Sequence, residues 1–187
     1  MPTESEFEHA LVLGGTGMLQ DVSLDIARRS REITSVARTH DSLETLDALI
    51  DPRVTHHQLA LNWDEPDAYL ETIESHLVGT SPPELVVAWI HDTDVALRLT
   101  SLVSTSTFFH IIGSGSSVPA EIATRFHEQF APHASIDYAQ VILGFRRGAE
   151  GSRWLTDEEI SSGVLEAIDR EHHVHVVGTI EPWSDRP

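Results

Sequence analysis

The chain has 187 residues, 40% of them hydrophobic and 22% charged, which suits one globular domain with a substantial core and leaves no room for two large ones. It contains no cysteine, which excludes disulfides, thiolate nucleophiles and cysteine-ligated zinc. The formal net charge is −18, and twelve arginines with no lysine supply all the basic side chains, so nucleic acid and anionic membrane surfaces are not expected partners.

Residues 1–10 are acidic and polar, without a basic stretch leading into an apolar core, so no export signal is expected. No apolar run approaches the length of a membrane span. A soluble cytoplasmic protein is the expectation. The first predicted strand covers residues 9–13 and ends in Gly14, Gly15, Thr16 and Gly17. Met18, Val22 and Ile26 then fall four apart, on one helical face. Residues 32–37 form a second strand. Asp41 with Glu44 has the spacing of a capping box, and Leu43, Leu46 and Ile50 line the helix that follows. Residues 53–61 form a third strand, and residues 64–66 open a helix carrying Tyr69, Ile73 and Leu77, with Pro66 tolerated in its first turn.

Residues 84–90 are almost continuously apolar, as in a central parallel strand covered on both faces; a helix is predicted over 94–103. Residues 108–112 form the fifth strand, and Pro119 starts a helix with Ile122, Phe126 and Phe130 on one face. The sixth strand is predicted over 135–145. Thr156 and Glu159 cap a helix with Ile160, Val164 and Ile168 spaced by four, and residues 173–180 form a seventh strand. Strand and helix alternating over the whole length predict a single α/β domain, residues 1–187: a doubly wound, Rossmann-like parallel sheet of about seven strands with helices on both faces. Such sheets bind ligands beyond the carboxyl ends of their strands, which directs attention to residues 14–17, 37–39, 61–63, His91, 113–117 and 144–147.

The glycine turn between the first strand and the first helix lets backbone N–H groups approach a pyrophosphate. Gln20 stands where a third glycine is common, so the first helix is expected to ride slightly farther from the sheet. The competing reading is an ordinary tight turn.

In the order and spacing of these segments the chain resembles the short-chain dehydrogenase/reductase superfamily, particularly its atypical and extended members. Gly14, Gly15, Thr16 and Gly17, with Met18 after them, match its phosphate turn. Arg38 follows the second strand, Asn62 the third, and residues 113–117 end the fifth. Gly144 lies where such proteins usually have a Pro-Gly turn lining the nicotinamide pocket. The resemblance implies a bound NAD(P), with Asn62 in place of the family's adenine-contacting aspartate. NAD-preferring folds place an acid at the end of the second strand; Ser35-Val-Ala-Arg-Thr39 has none. A guanidinium at Arg38 can take a 2′-phosphate bidentately, so NADP is expected ahead of NAD. A solvated surface arginine is the other reading of Arg38.

The catalytic side departs from the family, whose reductases use a tyrosine four residues before a lysine. Here there are only Tyr69 and Tyr138, and no lysine. Ser114 falls where the family's catalytic serine would be, although a Gly-Ser-Gly-Ser-Ser run also serves as a polar lead-in to a helix. His91 is the remaining acid–base candidate, because histidine titrates near working pH and this one follows the central strand; a histidine satisfying helix-start donors is the alternative. Arg146 and Arg147 suit an anionic group or a solvated loop. His172, His173 and His175 lack partners at a recognisable ligand spacing, so no metal site is expected. There is no Walker loop.

The leading expectation is an atypical NADP(H)-dependent oxidoreductase acting on a small carbonyl or alcohol. The alternative is a non-catalytic NADP(H)-binding sensor or regulatory protein of the same fold. A methyltransferase-like fold is disfavoured by the missing acid after the second strand. Homo-oligomers are a further expectation, with Ile122, Phe126 and Phe130 as a contributing face, unless these three pack on the sheet.

Overall fold

The computed structural model describes residues 6–113, 119–133 and 135–187. In chain order its elements are β1 (Phe7–Leu13), α1 (Gln20–Arg29), β2 (Ser30–Ala37), α2 (His40–Asp47), β3 (Thr55–Ala60), α3 (Pro66–Leu77), β4 (Leu85–Ala88), α4 (Thr93–Thr100), β5 (Thr107–Ile112), α5 (Pro119–Phe130), β6 (Asp137–Leu143), β7 (Phe145–Gly148), β8 (Gly151–Trp154), α6 (Asp157–Asp169) and β9 (Val174–Val177). Seven strands pair in parallel in the order β3-β2-β1-β4-β5-β6-β9. The order reverses between β1 and β4, the point at which loops leaving neighbouring strands diverge to opposite faces and open a crevice.

Alternation along the central strands explains both layers of the core. Ala10 and Val12 of β1 pack in the cluster that includes α1, α2 and α6, whereas Leu11 and Leu13 face the cluster that includes α3, α4 and α5. All four are fully buried, which is why β1 and β4 read as continuous apolar runs.

The caps match the sequence in part. Thr156 and Glu159 form the expected capping box, each side chain accepting from the other's backbone N–H (3.2 and 3.0 Å). For α2 the expectation is corrected: Thr39, not Asp41, is the cap, its hydroxyl accepting from the Ser42 N–H. Asp41 lies in the first turn, where its charge complements the helix dipole.

The sixth strand ends earlier than predicted. Gly144 packs so closely on the Thr179 carbonyl that a Cβ there would overlap it. Beyond this contact Phe145 pairs with Thr179 in an isolated bridge and starts an antiparallel ribbon, β7 with β8.

The apolar face of α5 packs inward at two of its three residues. Phe126 and Phe130 are buried, stacked on His110 (4.9 Å) and Tyr138 (4.2 Å) respectively. This apolar stripe is used against the sheet, the ordinary fate of an amphipathic face.

Two buried polar chains lie under the α3–α5 layer. The Ser81 carbonyl can only accept, so His9 Nδ1 donates to it (2.6 Å) and its Nε2 accepts from Thr34 Oγ1 (2.9 Å), which in turn accepts from His76 Nε2 (3.0 Å). Likewise His110 Nε2 donates to the Ile90 carbonyl (3.2 Å), leaving Nδ1 to accept from the Tyr138 hydroxyl (3.0 Å). Each fixed acceptor thus selects the neutral tautomer of its ring.

Candidate functional site

The phosphate-turn candidate sits at the reversal point. Gly14 adopts φ +79°, a left-handed conformation that favours glycine, while its N–H donates to the Val36 carbonyl (2.9 Å). A Cβ on Gly15 would overlap Ser23 Oγ of α1, and that hydroxyl donates to the Gly15 carbonyl (2.8 Å). The expectation that Gln20 holds the helix farther out is therefore corrected: close contact between helix and turn is made at Gly15, with Ser23 fully buried against it. The N–H groups of Thr16, Gly17 and Met18 bond to no other described residue. These N–H groups are the turn's candidate donors to an anion.

A cleft of about 190 Å³ opens beside this turn, lined by Gly14, Thr16, Gly17 and Met18 together with Val36, Ala37 and Arg38. Leu61, Trp63, Tyr69 and Trp89 complete its wall. The Arg38 guanidinium lies 4.9 Å from the centre of the Trp63 ring, a cation–π contact. Arg38 makes no ion pair with a described carboxylate, so its charge is available to a ligand. Burial pushes the Tyr69 phenol above its ordinary pKa and keeps it protonated.

The other candidates are less concentrated. Exposed Asn62 turns both ends of its amide to Asp64, donating to the carboxylate (3.1 Å) and accepting from the N–H (3.3 Å); it does not line the cleft. His91 is exposed at the rim, its ring 4.5 Å from Trp89 and 6.4 Å from Trp63. Ser114 lies outside the described residues. Gly144 is committed to Thr179, away from the cleft wall. Arg146 and Arg147 pair with Glu159 and Asp185 on the surface. Tyr138, near the start of β6, is mostly enclosed beneath α5 and far from the carboxyl ends. Burial raises its pKa, and it serves the His110 network. A wider depression of about 760 Å³ lies at the opposite, amino ends of β1, β2 and β3. Its walls are charged and partly self-paired, Glu8 with Arg31 and Asp51 with Arg53.

Trp63, Tyr69 and Trp89 are the lining residues that motif reasoning passes over. The available signal is positional, since both tryptophans stand just beyond the ends of strands, where ligands bind.

No protein-family model matches the chain, and no curated protein matches it. Solved structures do. A bulky-bulky ketone specific alcohol dehydrogenase from Comamonas testosteroni is 16% identical, with a TM-score of 0.71 over 96% of this chain and 90% of that one. A metagenomic short-chain oxidoreductase in complex with NADP is 11% identical, with a TM-score of 0.63 over 92% and 96%. A structure from Haemophilus influenza with bound NAD is 10% identical, with a TM-score of 0.61 over 91% and 93%. The strand order, the two helical layers and these likenesses agree: the chain has a doubly wound, Rossmann-like fold similar to that of these solved structures.

Proposed function

We propose that this chain binds NADP(H) in the switch-point cleft and acts as an oxidoreductase on a small carbonyl or alcohol, as a cytoplasmic protein and as a homo-oligomer. The observation that carries the reading is that one cleft is lined both by the Gly14–Met18 turn, where Thr16, Gly17 and Met18 N–H meet no described acceptor, and by Arg38, which has no carboxylate partner among the described residues. The adenosine half of the cofactor suits the residues present: the Trp63 face for the base, Arg38 for the 2′-phosphate, the turn for the diphosphate. Trp89 lies across the strand ends between Gly14 and Gly113, on the side toward which the nicotinamide half would extend. Hydride chemistry is the contribution of the bound cofactor. The chain's own part is to bind, orient and supply a proton, for which His91 at the rim is the leading residue and Ser114 the second.

A second reading, a non-catalytic NADP(H) sensor of the same fold, is favoured by the lack of lysine and by the enclosure of Tyr138 away from the site.

Thermal unfolding tests binding. NADPH at a hundred times its dissociation constant stabilises by about 2.7 kcal/mol, a rise in Tm of roughly 5–10 °C for a chain of this size. If millimolar NADP(H) and NAD(H) both leave Tm unmoved, the reading is wrong. Catalysis is tested with a panel of small aldehydes, ketones and quinones. His91→Ala is expected to lower NADPH consumption by about 10²–10⁴-fold, the usual contribution of a general acid. Activity that survives His91→Ala intact removes His91 from its role, and clear binding without turnover favours the sensor.

A further inference from the structure

The switch-point cleft stops at Trp89. As the chain leaves β4 the Trp89 N–H donates to the Leu13 carbonyl (3.0 Å), so the backbone is still pinned to the end of β1. The half-buried indole then lies along the strand ends. A Cβ on Gly14 would stand 3.1 Å from Trp89 Cβ and Cδ1, and one on Gly113 would overlap its far edge, Cη2. The side chain thus reaches from the end of β1 to the end of β5, across the reversal of strand order, in a slot framed by two residues without side chains. His91 packs edge-on against it at 4.5 Å. What remains open is roughly 190 Å³ on the Arg38–Trp63 side.

A dinucleotide anchored at residues 14–18 with its adenosine toward Arg38 must send its other half across the ends of β4 and β5, where the indole lies. We infer that Trp89 decides how much of a nucleotide this site takes: in its resting form the cleft admits an adenosine phosphate and excludes the second nucleoside, which enters only when the indole leaves Gly113. This inference rests on the nucleotide-binding reading above. A ligand that needs a minor conformation has its affinity reduced by the fraction of molecules in that conformation. The dinucleotide bears that reduction. Adenosine 2′,5′-bisphosphate, which carries the same base, ribose and 2′-phosphate, does not.

Calorimetric titration of the full chain with NADPH and with adenosine 2′,5′-bisphosphate tests the inference. The wild type is expected to bind the two within about threefold of each other, and Trp89→Ala to bind NADPH about tenfold or more tighter, a change of about 1.4 kcal/mol, while bisphosphate affinity stays within about twofold. Trp89→Leu, which keeps an apolar contact on Gly113 but removes the ring, replaces the alanine variant if that unfolds. The wild-type ratio stands even without a folded variant. NADPH bound far more tightly than the bisphosphate by the wild type, or weakened by removal of the ring, overturns the role of Trp89 and leaves nucleotide binding intact. If the wild type and the folded variant both fail to bind both ligands, nucleotide binding is overturned and this inference with it.

Discussion

Lowering the pH from near 7.5 to near 5 is expected to cost this protein about 2 kcal/mol of unfolding free energy through His110 alone. Burial beneath α5 is the main cause that holds its pKa down, at about 4 against an ordinary 6.5, with the nearby His91 acting in the same direction and the bond to Ile90 opposing both. The hydrogen bonds give this a geometric basis. Nε2 is committed to a carbonyl, so a second proton on Nδ1 would face the Tyr138 hydroxyl, which already accepts from Gln140 Nε2 (3.3 Å), and would leave the phenolic proton without its acceptor. The native state therefore binds the proton less readily than the unfolded chain. The stability from neutral His110 is complete above the unfolded value and is lost as pH falls from about 6.5 toward about 4, reaching about 3 kcal/mol in all. His9 and His76, lowered chiefly by burial, add losses of the same sign. Asp51 and Glu159, held at about 2 by hydrogen bonds from Arg53 and Arg153, titrate below this window. Urea unfolding at the two pH values measures the effect, and His110→Gln should remove most of the His110 share. An unchanged pH dependence in that variant would assign the loss to other groups.

Arg38→Asp is expected to weaken NADPH binding by about ten- to a hundredfold, the equivalent of losing a charge-assisted contact of roughly 1.5–3 kcal/mol, and to weaken NADH binding much less. The guanidinium lies at the end of β2 with no carboxylate partner among the described residues, resting on Trp63 at 4.9 Å. An aspartate there removes the donor fork and places a negative charge beside the 2′-phosphate. Loss of the stack on Trp63 affects both cofactors, so the difference between them isolates the phosphate. Titration of the variant with both cofactors checks this, and equal weakening would show that Arg38 does not read the 2′-phosphate.

The architecture was largely legible because a doubly wound sheet advertises itself. β1 and β4 are apolar on both faces, and the helices between strands repeat their apolar residues every three to four positions. The turn at residues 14–17 was legible for a related reason, since glycines between strand and helix have few other uses. The β7–β8 ribbon was not. Phe145 reads as the continuation of an apolar strand, and what stops that strand is the Thr179 carbonyl packed on Gly144, 35 positions after that glycine in the sequence. The turn between Gly148 and Gly151 has Ala149 and Glu150 at its centre, not the Asn-Gly or Asp-Gly pair that signals a hairpin, and the arginines before it suggested a ligand loop. The tryptophans of the cleft were hidden for a different reason. Which way a side chain leaves the end of a strand depends on neighbouring strands, so Trp89 looks like one more buried residue of a central run until Gly14 and Gly113 are placed beside it.

The serine on α1 has an effect on the phosphate turn beyond drawing helix and turn together. In a trans peptide the C=O and the following N–H lie in one plane and point in opposite directions. Ser23 holds the Gly15 carbonyl from the helix side, which fixes the plane joining Gly15 to Thr16 and turns the Thr16 N–H the other way, toward the cleft that Thr16 lines. A hydroxyl one turn into the helix thereby acts as a rudder for a backbone dipole. An anion arriving at the turn meets a donor that is already aimed, and little orientational freedom remains to be lost when it docks.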